Sequence, residues 1–340
     1  PCPSARRPRA VGIREAGGLS RRGALRCAVG AALAAATDHL PGFPLSIPNC
    51  GQALRLDRPP QRAVIHDINM TAMALALGLQ PYLVGVTGIT GWHRPDDAFR
   101  AALGSVPELS PRYPTLEVLL AARADFFFAG WHYGLRPGGE LTPATLARHG
   151  IATLILSESC AHLNPRPARA TMALLFDDML RLGEVFGHRA RAEALVAGWR
   201  QQLGALPAGL APADADRPRV FVYDTGRDKP FTAGRAAMPT ALIDAAGGRN
   251  IMDDLAASWA HTAWETVGIR DPQLVILSDY QRGRGLAAMR QQLTEHPAMR
   301  RVEAVRKGRY LALPYAQLTP GPANLEAIGV LARSLRDIRP

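Results

Sequence analysis

An α/β fold of two Rossmann-like lobes, each on a parallel central sheet, follows from three features of the chain. Short strand-like runs alternate with helical patterns of 10–15 residues, the signature of βαβ units. A Pro/Ala/Asp-rich stretch at 206–218 opens a second such series. Ahead of it lies a long helical stretch without proline, at 168–203. The 340 residues are 47% hydrophobic and 20% charged, enough apolar material for a sizeable core and too much for a disordered chain. Mean hydropathy is −0.04 and no apolar run reaches the 18 residues a membrane-crossing helix needs.

The first series opens with Val64-Ile65 as a strand, then 71–79 as a helix closed by Gly78, 83–87 as a strand and 115–122 as a helix. It continues with strand 125–129, helix 142–149 and strand 152–156. The second runs from strand 219–223 through helix 238–246, strand 274–277, helix 285–295 and strand 309–313 to helix 324–335. Between them Leu174, Leu175, Met179, Leu182, Val185, Phe186, Ala192, Leu195, Val196 and Trp199 recur at helical spacing. A continuous helix of about 30 residues would be roughly 45 Å long and would make a stiff connector, with Gly183 and Gly187 as the places where it can break. The chain therefore divides into an export segment at 1–37, an N-terminal lobe at 50–167, a connecting helix at 168–204 and a C-terminal lobe at 216–337.

The formal charge of +11 invites a nucleic-acid reading, but its location argues against one. Seven arginines against Glu15 in residues 1–30 account for +6 of it, and the rest is spread thinly with no basic run. The order Arg21-Arg22, then an apolar stretch at 28–36 and small residues, is that of a bacterial export signal, with paired arginines of the twin-arginine type. Its removal would discard Cys2 and Cys27 and leave Cys50 and Cys160, which an oxidising compartment would let join across about 110 residues. The alternative is two buried free thiols.

Several phrases in sequence now acquire a common meaning. Arg58-Pro59-Pro60-Gln61-Arg62-Ala63-Val64, then Ala74-Leu75-Ala76-Leu77-Gly78-Leu79 with Val84-Gly85-Val86, are followed by Pro114-Thr115-Leu116-Glu117-Val118-Leu119-Leu120-Ala121-Ala122-Arg123-Ala124-Asp125. The second lobe answers with Ala246-Gly247-Gly248-Arg249-Asn250-Ile251 and Ala263-Trp264-Glu265-Thr266-Val267, leading to Arg270-Asp271-Pro272-Gln273-Leu274-Val275-Ile276. This ordered set, over residues 50–337, resembles the periplasmic substrate-binding proteins of ABC importers for ferric siderophores, haem and cobalamin, with Ala124 where the family has a proline. The resemblance implies a monomeric bilobed binder without a cofactor, whose ligand is a ferric siderophore or similar metal chelate and whose protein partner is an inner-membrane ABC permease. It also implies that Glu117 and Glu265, at matched positions in the two lobes, dock onto permease arginines. Favourable placement near a helix start is the plainer account of both.

Ligands of open α/β sheets sit beyond the carboxyl ends of the strands, so residues just after strands are the binding candidates. These are Trp92, His93, Trp131, His132, Tyr133, Arg136, Tyr223, Arg227, Trp259, Tyr280 and Tyr315. Flat rings suit a macrocycle or catecholate, and arginine suits the negative charge of many iron complexes. His66, His93, His132 and His261 offer a second reading, direct capture of a bare metal ion, although no two lie at the short spacings of local metal sites. No GxSxG, GxxxxGK[ST] or CxxC motif is present to support catalysis. Two α/β lobes also occur in metal-tetrapyrrole enzymes such as chelatases, which stand as the enzymatic alternative.

Overall fold

The computed structural model describes residues 42–205, 217–281 and 285–338. The export segment read at 1–37 lies outside the described residues. The N-terminal lobe begins before residue 50, with an antiparallel hairpin of β1 (Leu45–Asn49) and β2 (Gln52–Leu56) whose side chains alternate between core and solvent. Cys50 and Gly51 form its two-residue turn with φ of 51° and 78°, the left-handed pair that matches strand twist.

Next come β3 (Ala63–His66), α1 (Ile68–Ala76), β4 (Leu83–Thr87), α2 (Asp97–Leu103), β5 (Glu108–Ser110) and α3 (Leu116–Ala121). They are followed by β6 (Phe126–Trp131), β7 (Gly134–Leu135), α4 (Pro143–Arg148) and β8 (Ala152–Ile155). The parallel sheet runs β5-β4-β3-β6-β8, and β7 pairs in parallel with the last two residues of β6. Central strands β3 and β6 are buried at every position, which explains the unbroken apolar runs Ala63-Val64-Ile65 and Phe126-Phe127-Phe128-Ala129. The hairpin is tied to the edge strand β8: Asn49 Nδ2 donates to Thr153 O at 2.9 Å and Asn49 Oδ1 accepts from Ile155 N at 2.8 Å. A Cys50–Cys160 disulfide with Cα atoms 5.3 Å apart completes the attachment.

The connector is two helices rather than one rod. A 3₁₀ turn at Ser157–Leu163 precedes α5 (Ala173–Val185), and α6 (Arg189–Ala205) follows after a break at Gly187, whose φ of 71° an L-residue adopts only with strain. The two fold back on each other, so that Phe176 and Trp199 stack with centroids 6.5 Å apart. Residues 168–172 precede the helix, and Ala170 N donates to Arg235 O of the second lobe at 2.8 Å.

The C-terminal lobe comprises β9 (Arg219–Tyr223), β10 (Phe231–Ala233), α7 (Met238–Ala245), β11 (Arg249–Asn250), β12 (Trp259–His261) and α8 (Trp264–Arg270). It ends with β13 (Leu274–Asp279), α9 (Leu286–Glu295), α10 (Glu303–Arg306), β14 (Tyr310–Pro314), α11 (Tyr315–Leu318) and α12 (Asn324–Arg336). Its parallel sheet runs β11-β9-β13-β14, while β10 and β12 form an antiparallel ribbon. One apolar cluster passes from Ile65 and Phe128 through Leu175 to Val222 and Leu335, so the lobes share a core around the helical hairpin.

Candidate functional site

A cavity of about 620 Å³ lies where the carboxyl ends of the strands from both lobes face each other. The first lobe lines it with Asp67 after β3, Trp92 and His93 after β4, Tyr113 after β5, His132 and Tyr133 after β6, and His162 after β8. The second lobe supplies Asp224 after β9, Tyr280 after β13, Tyr315 after β14, and Phe231 and Trp259 from the ribbon.

Asp67 organises one wall. Its backbone has the unusual φ of 68° and its carboxylate caps α1, accepting from Ile68 N at 2.7 Å. The same Oδ1 accepts from His93 Nε2 at 3.2 Å, and Oδ2 accepts from the Tyr315 hydroxyl of the other lobe at 2.9 Å. Burial opposes ionisation, but the His93 hydrogen bond and the neighbouring imidazoles outweigh it and hold Asp67 below the ordinary carboxylate range. The ionised form therefore fixes the proton of His93 on Nε2. Above it His93 stacks on Tyr315 at 5.0 Å, and Tyr315 packs against Tyr280 at 5.1 Å. Across the cavity Trp92 meets Tyr113 edge-on at 4.9 Å, and Phe231 stacks on Trp259 at 6.1 Å.

Two further acids sit beneath these rings. Asp224 accepts from the Tyr280 hydroxyl at 3.2 Å, and burial pushes its carboxyl up to about 6. Glu158, buried on the 3₁₀ turn of the first lobe, bonds only to the second: Oε1 accepts from Met238 N at 3.1 Å, Ser258 Oγ at 2.8 Å and Trp259 Nε1 at 3.1 Å. Its Oε2 is buried with no hydrogen-bond partner, and burial pushes the carboxyl up to about 7 against the three bonds. A family model described as periplasmic binding protein matches residues 64–316, a span that contains both lobes' strand ends.

The chain belongs to the periplasmic binding protein family.

Among its relatives, a cobalamin-binding protein of Halobacterium salinarum is 26% identical over 242 residues, covering 70% of this chain. The match spans 60% of that relative's own length. A solved periplasmic binding protein from Veillonella parvula superposes with a TM-score of 0.73 at 26% identity, covering 87% of this chain and 98% of its own. An ABC-type Fe3+-hydroxamate transport system structure from Saccharomonospora viridis has a TM-score of 0.70 at 23% identity, covering 86% and 99% of the two chains, and attests the shared fold.

In this periplasmic binding protein Trp92, His93, His132, Tyr133, Tyr280 and Tyr315 line the cavity from positions after strands, and Trp259 lines it from the first position of β12. Four other candidates stand elsewhere. Trp131 is still part of β6 and packs into the first lobe's core at 8% exposure. Tyr223 is the last residue of β9, packs on Trp264 at 5.2 Å and donates to Gly226 O at 2.9 Å. Arg136 is exposed with its guanidinium 5.1 Å above the Tyr113 ring, and exposed Arg227 offers its carbonyl to Trp264 Nε1 and Gln292 Nε2. β6 runs two residues beyond the strand read at 125–129, which turns Trp131 into core, whereas β9 ends at Tyr223 as the sequence predicts, and the Tyr223 ring packs into the second lobe.

Asp67, Tyr113, His162, Asp224 and Phe231 line the cavity without having been chosen from the sequence. Asp67 and Asp224 directly follow strands, so the rule that selected the aromatics also covers them. The four histidines proposed as metal ligands do not converge. His66 is buried with Nδ1 2.9 Å from Thr87 Oγ1, and burial brings it down to about 4. His93 serves Asp67, His132 pairs with His162 at 4.5 Å, and His261 is exposed on β12. Among the described residues no group of three His, Cys, Asp or Glu side chains is placed to hold a metal ion. Glu117 and Glu265 are exposed in the first turns of α3 and α8.

Proposed function

We propose that this protein is the exported receptor of an ABC importer that takes a corrinoid-type metal chelate into the cleft and presents it to an inner-membrane permease through Glu117 and Glu265. The reading rests on one observation above all: an inter-lobe cavity of about 620 Å³ walled by aromatic rings from both lobes, with its ionisable lining made of imidazoles and the carboxyls Asp67 and Asp224. Ring stacks give broad apolar contact to a macrocycle at little entropic cost. Carboxylates at the wall oppose a ligand that brings several negative charges of its own, such as a ferric catecholate. The cobalamin-binding relatives support the corrinoid choice over the iron-siderophore reading that Arg136 and Arg227 had favoured.

No step in this reading makes or breaks a covalent bond. The ligand is held, the lobes adjust, and the permease receives it.

Because Trp92 and Trp259 line the cavity, bound chelate should quench their fluorescence. The exported protein is titrated with cyanocobalamin, haemin, a ferric hydroxamate, a ferric catecholate and free Zn²⁺. Saturable quenching strongest for cyanocobalamin is the expected result. Preference for the catecholate would overturn the charge argument, preference for haemin or the hydroxamate would move the ligand class within the same cleft, and silence across the panel would sink the receptor reading.

A further inference from the structure

The two lobes repeat one device without a gap. In the first, Glu117 in α3 is followed by buried Leu119, by Arg123 with a left-handed φ of 49°, and by Asp125 just before β6. In the second, Glu265 in α8 is followed at the same intervals by buried Val267, Asp271 with φ of 43°, and Gln273 just before β13. Each helix is clasped at its end by an arginine from the start of the neighbouring strand. Arg62 Nε donates to Arg123 O at 3.0 Å while its backbone N bonds Asp125 Oδ1 at 2.9 Å. Arg219 Nε donates to Asp271 O at 2.9 Å while its backbone N bonds Gln273 Oε1 at 3.1 Å. Both glutamates thus stand on helices anchored in the same way.

The repeat carries a second feature. Among the described residues the exposed large apolar side chains are Tyr113, Leu120, Leu163 and Ile269. Tyr113 lines the cleft and Leu163 adjoins the cleft residue His162. The other two lie on the clasped helices, on the same side as the acids: Leu120 at 40% exposure is three residues after Glu117, and Ile269 at 85% is four residues after Glu265. They are one register position apart in the repeat, so what is common to the lobes is an acid with an apolar neighbour one turn along. An isoleucine so exposed buries little of its side chain in the fold, and an acid beside an apolar side chain matches a basic group set at the rim of an apolar socket.

We propose that Leu120 and Ile269 are the apolar anchors of the permease contact, each seating in a socket beside the basic group that receives Glu117 or Glu265. This rests on the receptor reading above and deepens it: the charges orient the approach, and the apolar pair lengthens the residence of the receptor on the membrane partner.

The test uses Leu120→Ser/Ile269→Ser against wild type, Glu117→Ala/Glu265→Ala, and the conservative Ile269→Leu. Each full chain is expressed in its native host lacking the chromosomal copy, with uptake of labelled cyanocobalamin measured, and the purified exported form is assayed for melting and for cyanocobalamin quenching. If quenching selects haemin or the hydroxamate instead, that compound is the probe throughout. The serine pair should keep melting and chelate affinity at wild-type values while uptake falls about fivefold or more, and Ile269→Leu should keep uptake within about twofold. Wild-type uptake by the serine pair while the glutamate pair fails would overturn the anchors and leave the docking acids standing. Wild-type uptake by both pairs would remove α3 and α8 from the interface, and loss of chelate affinity in the serine pair would equally overturn the inference.

Discussion

Glu158 belongs to the first lobe, yet every hydrogen bond of its carboxylate reaches the second. Its folded-state value of about 7 stands above the ordinary 4.5, because burial penalises the charge more than three donors reward it. A raised acid stabilises the fold below its unfolded value, and that contribution is lost as pH rises from about 4.5 through about 7, amounting to about 3 kcal/mol. Glu158→Gln keeps an oxygen for the three donors and cannot ionise. The titrations of His66 and Asp224 are common to both proteins and cancel in the comparison. The stability of the variant relative to wild type should therefore rise between pH 4.5 and pH 8, read from calorimetric melting across that range; parallel curves would show that Glu158 ionises as readily in the folded protein as in the unfolded chain, and so that burial does not raise it. Trp259, held by the same carboxylate and stacked on Phe231, should cost the chelate about 1–2 kcal/mol of affinity when changed to Ala, measured by quenching of the remaining cleft tryptophan. Placement after strands was readable from the sequence and found most of the aromatic wall. Glu158 was not readable, because its role depends on Met238, Ser258 and Trp259, which lie 80 to 101 residues away.

At the level of elements, the β1–β2 hairpin depends on two tethers to β8, the Asn49 amide bonds and the Cys50–Cys160 disulfide. Closing a loop over a separation of 110 residues restricts the unfolded chain, a stabilisation of about 4–5 kcal/mol in the chain-entropy picture. Reduction should lower the melting temperature, and Cys50→Ser/Cys160→Ser should melt at that lower value with or without reductant. In the connector, Gly187→Ala places a Cβ at a φ of 71° and should cost about 1 kcal/mol by denaturant unfolding, whereas Gly198→Ala, in α6 with open space around it, should be neutral or slightly stabilising. The apolar spacing from Leu174 to Trp199 correctly announced helix, and both β4 and β9 fall on the residues read as strands. What periodicity could not show was that the helix turns back at Gly187, since the same residues face a core in a rod or in a hairpin. The short strands β5, β7, β10 and β12 escaped for a related reason: at two or three residues they have no period to detect and exist only through their partners.

For the molecule as a whole, the lobes are already joined across the cleft. Tyr315 bonds Asp67 at 2.9 Å, Asn69 Nδ2 donates to Pro320 O at 2.8 Å, and Arg94 N donates to Gln281 Oε1 at 2.8 Å. Behind them the helical hairpin and one apolar cluster bind both sheets. Opening such a molecule by a wide hinge motion would break the inter-lobe bonds and expose shared core, so small sliding adjustments are the cheaper response to a ligand. The radius of gyration from solution scattering should therefore change by less than about 1 Å when the cleft is saturated with the chelate that quenches the tryptophans. Tyr315→Phe removes the donor to Asp67 and leaves a buried carboxylate oxygen short of a partner, a loss of about 1–3 kcal/mol in stability. Its unliganded form should scatter like wild type, because Asn69, Gln281 and Glu158 still span the lobes. A contraction of several ångströms on binding in wild type would instead mean that the Tyr315–Asp67 bond forms only around the ligand, and the cleft walls would then be assembled by the chelate rather than waiting for it.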